Sequence, residues 1–381
     1  MIGADAIIKC LEAEGVSTVF GYPGVAICPF FNSILDSDIK TVLIRTEQNA
    51  AHAASGVARM TGRPGVCAVT SGPGATNVIT GIATAFADSI PMICITGQVN
   101  SELLGSDVFQ EADITGAVES FVKYSYLVKN VNDIPRVFKE AFYIANTGRK
   151  GPVLIDIPID IQNATIKNFH YPEEVNLRTY KPTVKGHAVQ IKKVIKELER
   201  AKRPIICAGG GVLLSEAEEE LRSFAEEHGI PVVSTMMGIG VMPNDDDLYM
   251  GMLGTNGKPH ANYAVHECDV LVLVGARVAD RAVVKPYKLE RRNTTIVHID
   301  VDPAEIGKNL GTTVPLVGDV HVIFENLLQY EIPGDYTAWN EELAEKKAAY
   351  VDRRHFNPDF VNPCRFVQTL SSKMNDDAIY V

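Results

Sequence analysis

Thr41-Val42-Leu43-Ile44-Arg45-Thr46-Glu47-Gln48-Asn49-Ala50-Ala51-His52 contains the end of a strand and the start of a helix. The run Thr41–Ile44 reads as a buried parallel strand. The small-residue stretch Ala50–Arg59 reads as a tightly packed helix. Glu47 is thereby delivered to the carboxyl end of the strand. Open α/β sheets bind ligands beyond such ends. A carboxylate held there, beside a helix start and between apolar walls, is poised to act as an acid or base. Read alone, the stretch is more simply a helix cap or a solvated side chain.

The same rhythm extends on both sides. Val19-Phe20, Val66–Val69, Met92–Thr96 and Val153–Ile157 are further apolar runs, with helical patterns such as Ala4–Leu11 and Pro135–Ala145 between them. The alternation predicts a parallel sheet with helices on both faces. A polar stretch without a clear period then breaks it, from Asp160 to His187. A second alternating block follows. It has helices at Ala188–Arg200 and Ser215–Glu227, and strands at Pro204–Ala208, Val232–Thr235, Val270–Val274, Thr295–Ile299 and Val314–Val317. The expected class is α/β, with two doubly wound parallel-sheet domains at 1–163 and 188–335 joined by a linker at 164–187. Residues 336–381 read as a connector, with a charged helix pattern over Trp339–Arg354 and a short helix after Asn362-Pro363. Ala378-Ile379-Tyr380-Val381 looks like a strand just beginning, which points to a further domain beyond it.

A length of 381 residues fits two domains better than one core. A formal charge of −11 argues against nucleic-acid or anionic-membrane surfaces. No apolar run reaches the ~20 residues that span a bilayer, and the N-terminus lacks a secretory pattern. The seven cysteines are scattered, with no Cys-x-x-Cys. That fits free thiols in a cytoplasmic protein and gives no cysteine-ligated metal site.

Several turns could carry chemistry. Gly21-Tyr22-Pro23-Gly24 follows the first strand and lets a ligand approach bare backbone. Thr70-Ser71-Gly72-Pro73-Gly74-Ala75-Thr76-Asn77 follows another strand and opens a helix. It lacks the lysine of a P-loop. Phe109-Gln110-Glu111 places an amide donor beside an aromatic ring. In the second block, Gly209-Gly210-Gly211 suits a pyrophosphate, Arg277 and Arg281 suit phosphates, and Asp300 suits ribose hydroxyls. Each of these alone is equally an ordinary turn.

In this order, however, the motifs resemble the large subunit of the thiamine-diphosphate-dependent acetolactate synthases. The similarity runs from Gly3-Ala4-Asp5-Ala6 to the last residue. It includes Phe20–Gly24, Glu47–His52, Thr70–Asn77, Asp107–Glu111, Gly251–Gly254, Gly275–Arg277 and His298–Asn309. The resemblance implies a pyrimidine-binding first domain and a central domain that holds FAD in most members. It also implies a third domain that binds the diphosphate through Mg²⁺ and a Gly-Asp-Gly motif. No Gly-Asp-Gly occurs in this sequence, so the expectation is an enzyme lacking that domain and inactive on its own.

By the same resemblance, Glu47 bonds a ring nitrogen of the cofactor's aminopyrimidine and favours the tautomer that removes the thiazolium proton. Pyruvate then loses CO₂ and is joined to a second 2-oxo acid, as in branched-chain amino acid or acetoin synthesis. Gln110 and Phe109 match positions beside the reacting centre. Tyr22, Pro23, Gly24, Val25, Thr70, Gly72, Gly74 and Asn77 match the thiamine side. Gly24 and its neighbours would face a cofactor across a homodimer. Arg149, Gly209, Gly210, Gly211, Thr235, Leu253, Gly254, Arg277, Arg281, Asp300 and Asp319 match positions around the flavin. A tetramer and a small regulatory subunit are further family expectations. Departures are Val25 and Asn256 where the family has Gly and His, Val278-Ala279 for Phe-Asp, and Glu119 for Arg. Another thiamine-dependent decarboxylase or glyoxylate carboligase, or a non-catalytic dimerisation module, remains open at this level.

Overall fold

The computed structural model describes residues 1–282, 294–350, 359–375 and 377–380. The first sheet comprises β1 (Thr18–Tyr22), β2 (Lys40–Leu43), β3 (Gly65–Val69), β4 (Met92–Gln98), β5 (Tyr124–Leu127) and β6 (Pro152–Pro158). The second comprises β7 (Pro204–Ala208), β8 (Val232–Ser234), β9 (Tyr249–Met252), β10 (Val270–Val274), β11 (Thr295–Asp300) and β12 (Val314–Val317). The orders are β2-β1-β3-β4-β6-β5 and β12-β11-β10-β7-β8-β9, with every pair parallel.

The inner strands read as continuous apolar runs because each serves two cores. Alternate residues of β4 enter different clusters: Ile93 and Ile95 on one face, Met92 and Cys94 on the other. The helix Ile134–Asn146 presents Val137, Phe138, Ala141, Phe142 and Ala145 to the first of these, at helical spacing. Helix Glu47–Thr61 covers the other face with Ala50, Ala51, Ala54 and Ala58. Its smallness has a purpose. Ala54 lies backbone to backbone against Gly65, and the Ala51 methyl lies against Gly81, so neither glycine could carry a Cβ without displacing the helix.

Four expectations are corrected. Strand β2 is parallel but not buried: Thr41 and Leu43 are exposed, because β2 is the outer strand and pairs only with β1. The helix expected over Ser215–Glu227 begins only at Glu218 and runs to His228, because Glu216 turns left-handed at φ +52°, and a separate short helix, Gly210–Leu214, precedes it. Edge strands β5 and β9 were not expected. Residues 378–380 form no strand, and Val381 lies outside the described residues.

In the connection between the sheets, Thr165 bridges to Ile2 and Tyr171, Leu177 and Tyr180 pack on the first core. The helix Thr337–Ala348 buries Trp339 and Leu343 against the second domain, and residues 351–354 of that expected helix lie outside the described residues. Helix Pro363–Lys373 has no buried residue. Among the described residues no helix is long and apolar enough to cross a membrane.

Candidate functional site

Each sheet has a point where adjacent strands send the chain in opposite directions across it. In the first it lies between β1 and β3, in the second between β7 and β10. Connections leave such a pair of strands on opposite faces, which opens a crevice at their carboxyl ends.

At the first point, Glu47 is the opening residue of its helix and is half-buried. Asn77, the last residue of the helix Pro73–Asn77, donates from Nδ2 to Glu47 Oε2 at 3.0 Å. Glu47 Oε1 has no hydrogen bond among the described residues and points toward Gly74, where a Cβ would stand 3.6 Å away. Thr70 fills the space between two glycines: a Cβ on Gly24 would lie 2.5 Å from Thr70 Cβ, and one on Gly74 2.7 Å from Thr70 Cγ2. Thr70 Oγ1 is buried without a partner among the described residues, which costs free energy unless something supplies a hydrogen bond.

Gly72, at φ +56°, abuts the backbone of Gln110. Gln110 is itself at φ +60°, a region sparsely used by non-glycine residues. Its loop is knotted by Glu111, whose carboxylate accepts from the amides of Gly105 and Val108. Those bonds hold the Glu111 carboxyl below its usual range. The fold thus brings Gly24, Glu47, Thr70, Gly72, Gly74, Asn77 and Gln110 together. Tyr22, Pro23, Val25 and Phe109 form an exposed rim, with Phe109 87% exposed.

The second switch point opens sideways into a crevice of about 890 Å³ between the domains. Arg149 and Lys150 line it from the first domain. Gly210, Gly211, Thr235, Leu253, Arg277, Arg281, Asp300 and Asp319 line it from the second. Gly209 and Gly254 lie behind this surface. Gly209 presses on the Gly275 carbonyl, and Gly254, at φ +105°, presses on that of Arg281.

The glycine run is not the open amide cradle that the sequence suggested. Gly209 N donates to Val274 O at 2.8 Å and Gly211 N to Gly275 O at 2.9 Å. Those glycines permit two strand ends to touch. Arg149 is also committed. It donates to Ser89 Oγ at 3.0 Å, Asp302 Oδ2 at 3.1 Å and Glu305 Oε1 at 2.7 Å, tying the domains together. The Lys150 side chain has no hydrogen bond or ion pair among the described residues. Burial lowers its pKa, with Glu216 and Asp319 opposing that shift. Burial pushes the Asp300 carboxyl up to about 6, against the Asp302 amide that bonds it at 2.9 Å. Asp319 caps the helix Val320–Leu327. Among the described residues no group of three or more His, Cys, Asp or Glu could hold a metal.

Residues 1–117 match the family profile described as thiamine pyrophosphate enzyme, N-terminal TPP binding domain, and residues 191–327 that of the thiamine pyrophosphate enzyme central domain. The chain is 47% identical to a protein described as probable acetolactate synthase large subunit from Methanocaldococcus jannaschii, over 99% of this chain and 64% of that one. It is 44% identical to the acetolactate synthase large subunit of Corynebacterium glutamicum, over 100% of this chain and 62% of that one. It is 39% identical to the acetolactate synthase isozyme 3 large subunit of Escherichia coli, over 99% and 67%. The chain belongs to the acetolactate synthase large-subunit family of thiamine pyrophosphate enzymes. It spans just under two thirds of the length of the first of these relatives.

Set within that family, the departures fall at distinct places. Val25 is on the exposed rim, Asn256 lines the crevice, Val278 is buried and Glu119 is exposed. The sequence reading passed over Lys150, and also the buried polar residues Gln98, Asp156 and Gln162. Asp156 interrupts the apolar run of β6, and a carboxyl in such a run is the signal that could have found it. Gln162 is fully buried and donates to the carbonyls of Ala26 at 2.8 Å and Ile157 at 2.9 Å, which anchors the turn after Gly24.

Proposed function

We propose that this chain supplies the pyrimidine side of a thiamine diphosphate site to an acetolactate synthase-type carboligase, which joins pyruvate to a second 2-oxo acid. The observation that carries the reading is Glu47 Oε1, without a hydrogen bond among the described residues, aimed at Gly74 and steadied through Asn77. The residues fit a flat heteroaromatic ring: bare glycine backbone allows close approach, and the orphaned Thr70 hydroxyl lacks only a partner. The cofactor, when bound, supplies the electron sink for decarboxylation.

The protein's part is to orient and to hold a proton. Glu47 Oε1 shares a proton with a pyrimidine ring nitrogen, and Asn77 keeps the carboxyl turned toward it. Gln110 offers its amide to a substrate oxygen, and Phe109 shields the same side from water.

The crevice suits FAD. Its volume falls within the range of about 300–1,000 Å³ usual for ligand pockets. Lys150, Arg277 and Arg281 offer cations for a diphosphate, and Asp300 and Asp319 offer acceptors for hydroxyls. In this reading Arg149 braces the walls, since its guanidinium is already engaged. Mg²⁺ would accompany the thiamine diphosphate, and no residue described here is assigned to it. A second copy of the chain would cover the exposed rim, as a homodimer or tetramer, with a small regulatory subunit beside it.

The test is a chimera in which these residues replace the matching span of the Corynebacterium glutamicum large subunit. Given pyruvate, thiamine diphosphate and Mg²⁺, it should form 2-acetolactate. Release of free aldehyde without carbon–carbon bond formation would instead indicate a decarboxylase.

A further inference from the structure

Asp156 is 2% exposed in the middle of β6. A carboxyl in such a place is costly unless its oxygens are met. Both are. Thr96 Oγ1 donates to Oδ1 at 2.6 Å, and Gln98 Nε2 donates to Oδ2 at 2.9 Å. The same Gln98 nitrogen donates to the Ala112 carbonyl at 2.8 Å, and Gln98 Oε1 accepts from the amide of Val99 at 2.9 Å. Gln98 is also 2% exposed. Its amide is therefore fully committed, and Asp156 determines which way it faces. Ala112 closes the loop that carries Phe109 and Gln110.

We infer that Asp156 is a positioning residue for the Phe109–Gln110 turn, acting through Gln98 on the Ala112 carbonyl. The turn needs such a tether. Gln110 is held at a positive φ, Phe109 is almost wholly exposed, and the knot around Glu111 ties the loop only to itself. Gln98 supplies the bond from the loop to the sheet. The catalytic meaning of this placement rests on the function proposed above, but the placement itself does not.

The charge on Asp156 is not what holds the turn. Burial pushes its carboxyl up to about 7, Thr96 and Gln98 oppose that shift, and Asp113 adds to it. The titratable groups facing it are Asp113, ahead of the helix Ile114–Ala117, and the Cys94 thiol on β4. Protonated, Asp156 still accepts from Gln98 and donates to Thr96. Asp156→Asn offers the same pattern, one acceptor for Gln98 and one donor for Thr96, and so is the conservative replacement.

Hydrogen exchange read by mass spectrometry on the whole chain tests the inference. Asp156→Ala should speed exchange at the amides of Gly105, Val108 and Glu111 about tenfold, on the scale of one lost hydrogen bond. Asp156→Asn should leave them within about twofold of the parent, and the helix Glu47–Thr61 should be unaffected in both. Gln98→Met, which cuts the link while leaving the carboxyl in place, should reproduce the alanine result even if Asp156→Ala does not fold. Unchanged loop exchange in Gln98→Met, or an Asn variant as disturbed as the alanine one, would overturn the inference. In the chimera, Gln98→Met and Asp156→Ala should lower kcat/KM for pyruvate, while Asp156→Asn should keep the parental value. If the exchange results hold and the chimera has no carboligase activity, the proposed function fails and the tether stands.

Discussion

Gly72 stands backbone to backbone with Gln110: a Cβ on Gly72 would lie 2.8 Å from the Gln110 carbonyl oxygen and 2.9 Å from its Cα. Neither partner is a flexible side chain that could swing away, and Gly72 itself is at φ +56°. Gly72→Ala is therefore expected to push the Gln110 turn outward and to cost about 1–3 kcal/mol in strain. Urea unfolding followed by circular dichroism reads the loss. Unaltered stability, together with unaltered exchange at the Glu111 amide, would show that the two turns are not nested.

Glu47→Gln keeps the hydrogen bond with Asn77 available but removes the acid. In the chimera it should lower turnover by about 10²–10⁴-fold, the usual range for a lost acid–base group. Exchange of the thiazolium proton of thiamine diphosphate, followed by NMR, should slow in parallel while the circular dichroism spectrum stays the same. Parental exchange in this variant contradicts the role given to Glu47.

Arg149→Met leaves Glu305, 6% exposed, without its partner from the first domain. The variant should lose about 1–3 kcal/mol at neutral pH. Burial works against the charge on Glu305, but Lys308 and Arg149 more than offset it and hold its carboxyl below the usual range. A lowered folded-state pKa stabilises above the unfolded value and ceases to do so as pH falls through the folded one. The gap between parent and variant should therefore narrow on acidification below the ordinary carboxylate range. A gap that widens there in denaturant titrations would refute the clamp.

Asp300 behaves in the opposite sense. Burial raises its carboxyl to about 6 from an ordinary value of 3.8. Between those values the folded state keeps a proton that the unfolded state has released, so stability falls as pH rises. Asp300→Asn removes this loss. It should be more stable than the parent above pH 6, by up to about 3 kcal/mol at roughly 1.4 kcal/mol per pH unit between the two pKa values. The advantage should vanish below the ordinary carboxylate pKa. Unfolding curves across that range check it, and an advantage independent of pH would count against the buried, neutral Asp300.

Lys150, like Arg277 and Arg281, lines the crevice with no side-chain hydrogen bond or ion pair among the described residues, and of the three it is the one from the first domain. If the crevice takes FAD, Lys150→Met should weaken flavin binding about tenfold, equivalent to about 1.4 kcal/mol. Quenching of flavin fluorescence on titration with protein measures it. The purified parent should show flavin absorption. Equal affinities for parent and variant would remove Lys150 from the site.

The parallel sheets were legible because two-sided burial writes itself as uninterrupted apolar runs, as in β3 and β10. That same signature misled at Thr41–Ile44, since an edge strand with apolar residues looks like a central one until its neighbours are known. Strands β5 and β9 escaped notice because each is short, at an edge and broken by polar or glycine residues. The first site was legible where glycine turns follow strands, at Gly24, Gly72 and Gly74. The commitment of Arg149 was not, because Asp302 and Glu305 lie more than 150 residues away in the chain. Nor was the use made of Gly209 and Gly211, whose amides a neighbouring strand end consumes. Local sequence shows which groups are present, and only the packed structure shows which of them are still free.

The crevice has one wall in each domain, and the Gly209–Gly275 contact closes its floor. Whatever molecule fills it binds both walls at once and has no counterpart site in the separated or unfolded chain. Cohesion between the domains then becomes a quantity set by concentration, governed by mass action. At a hundred times its dissociation constant, such a molecule adds about 2.7 kcal/mol to the folded state. The purified protein's melting temperature would accordingly record how much of that molecule it retained.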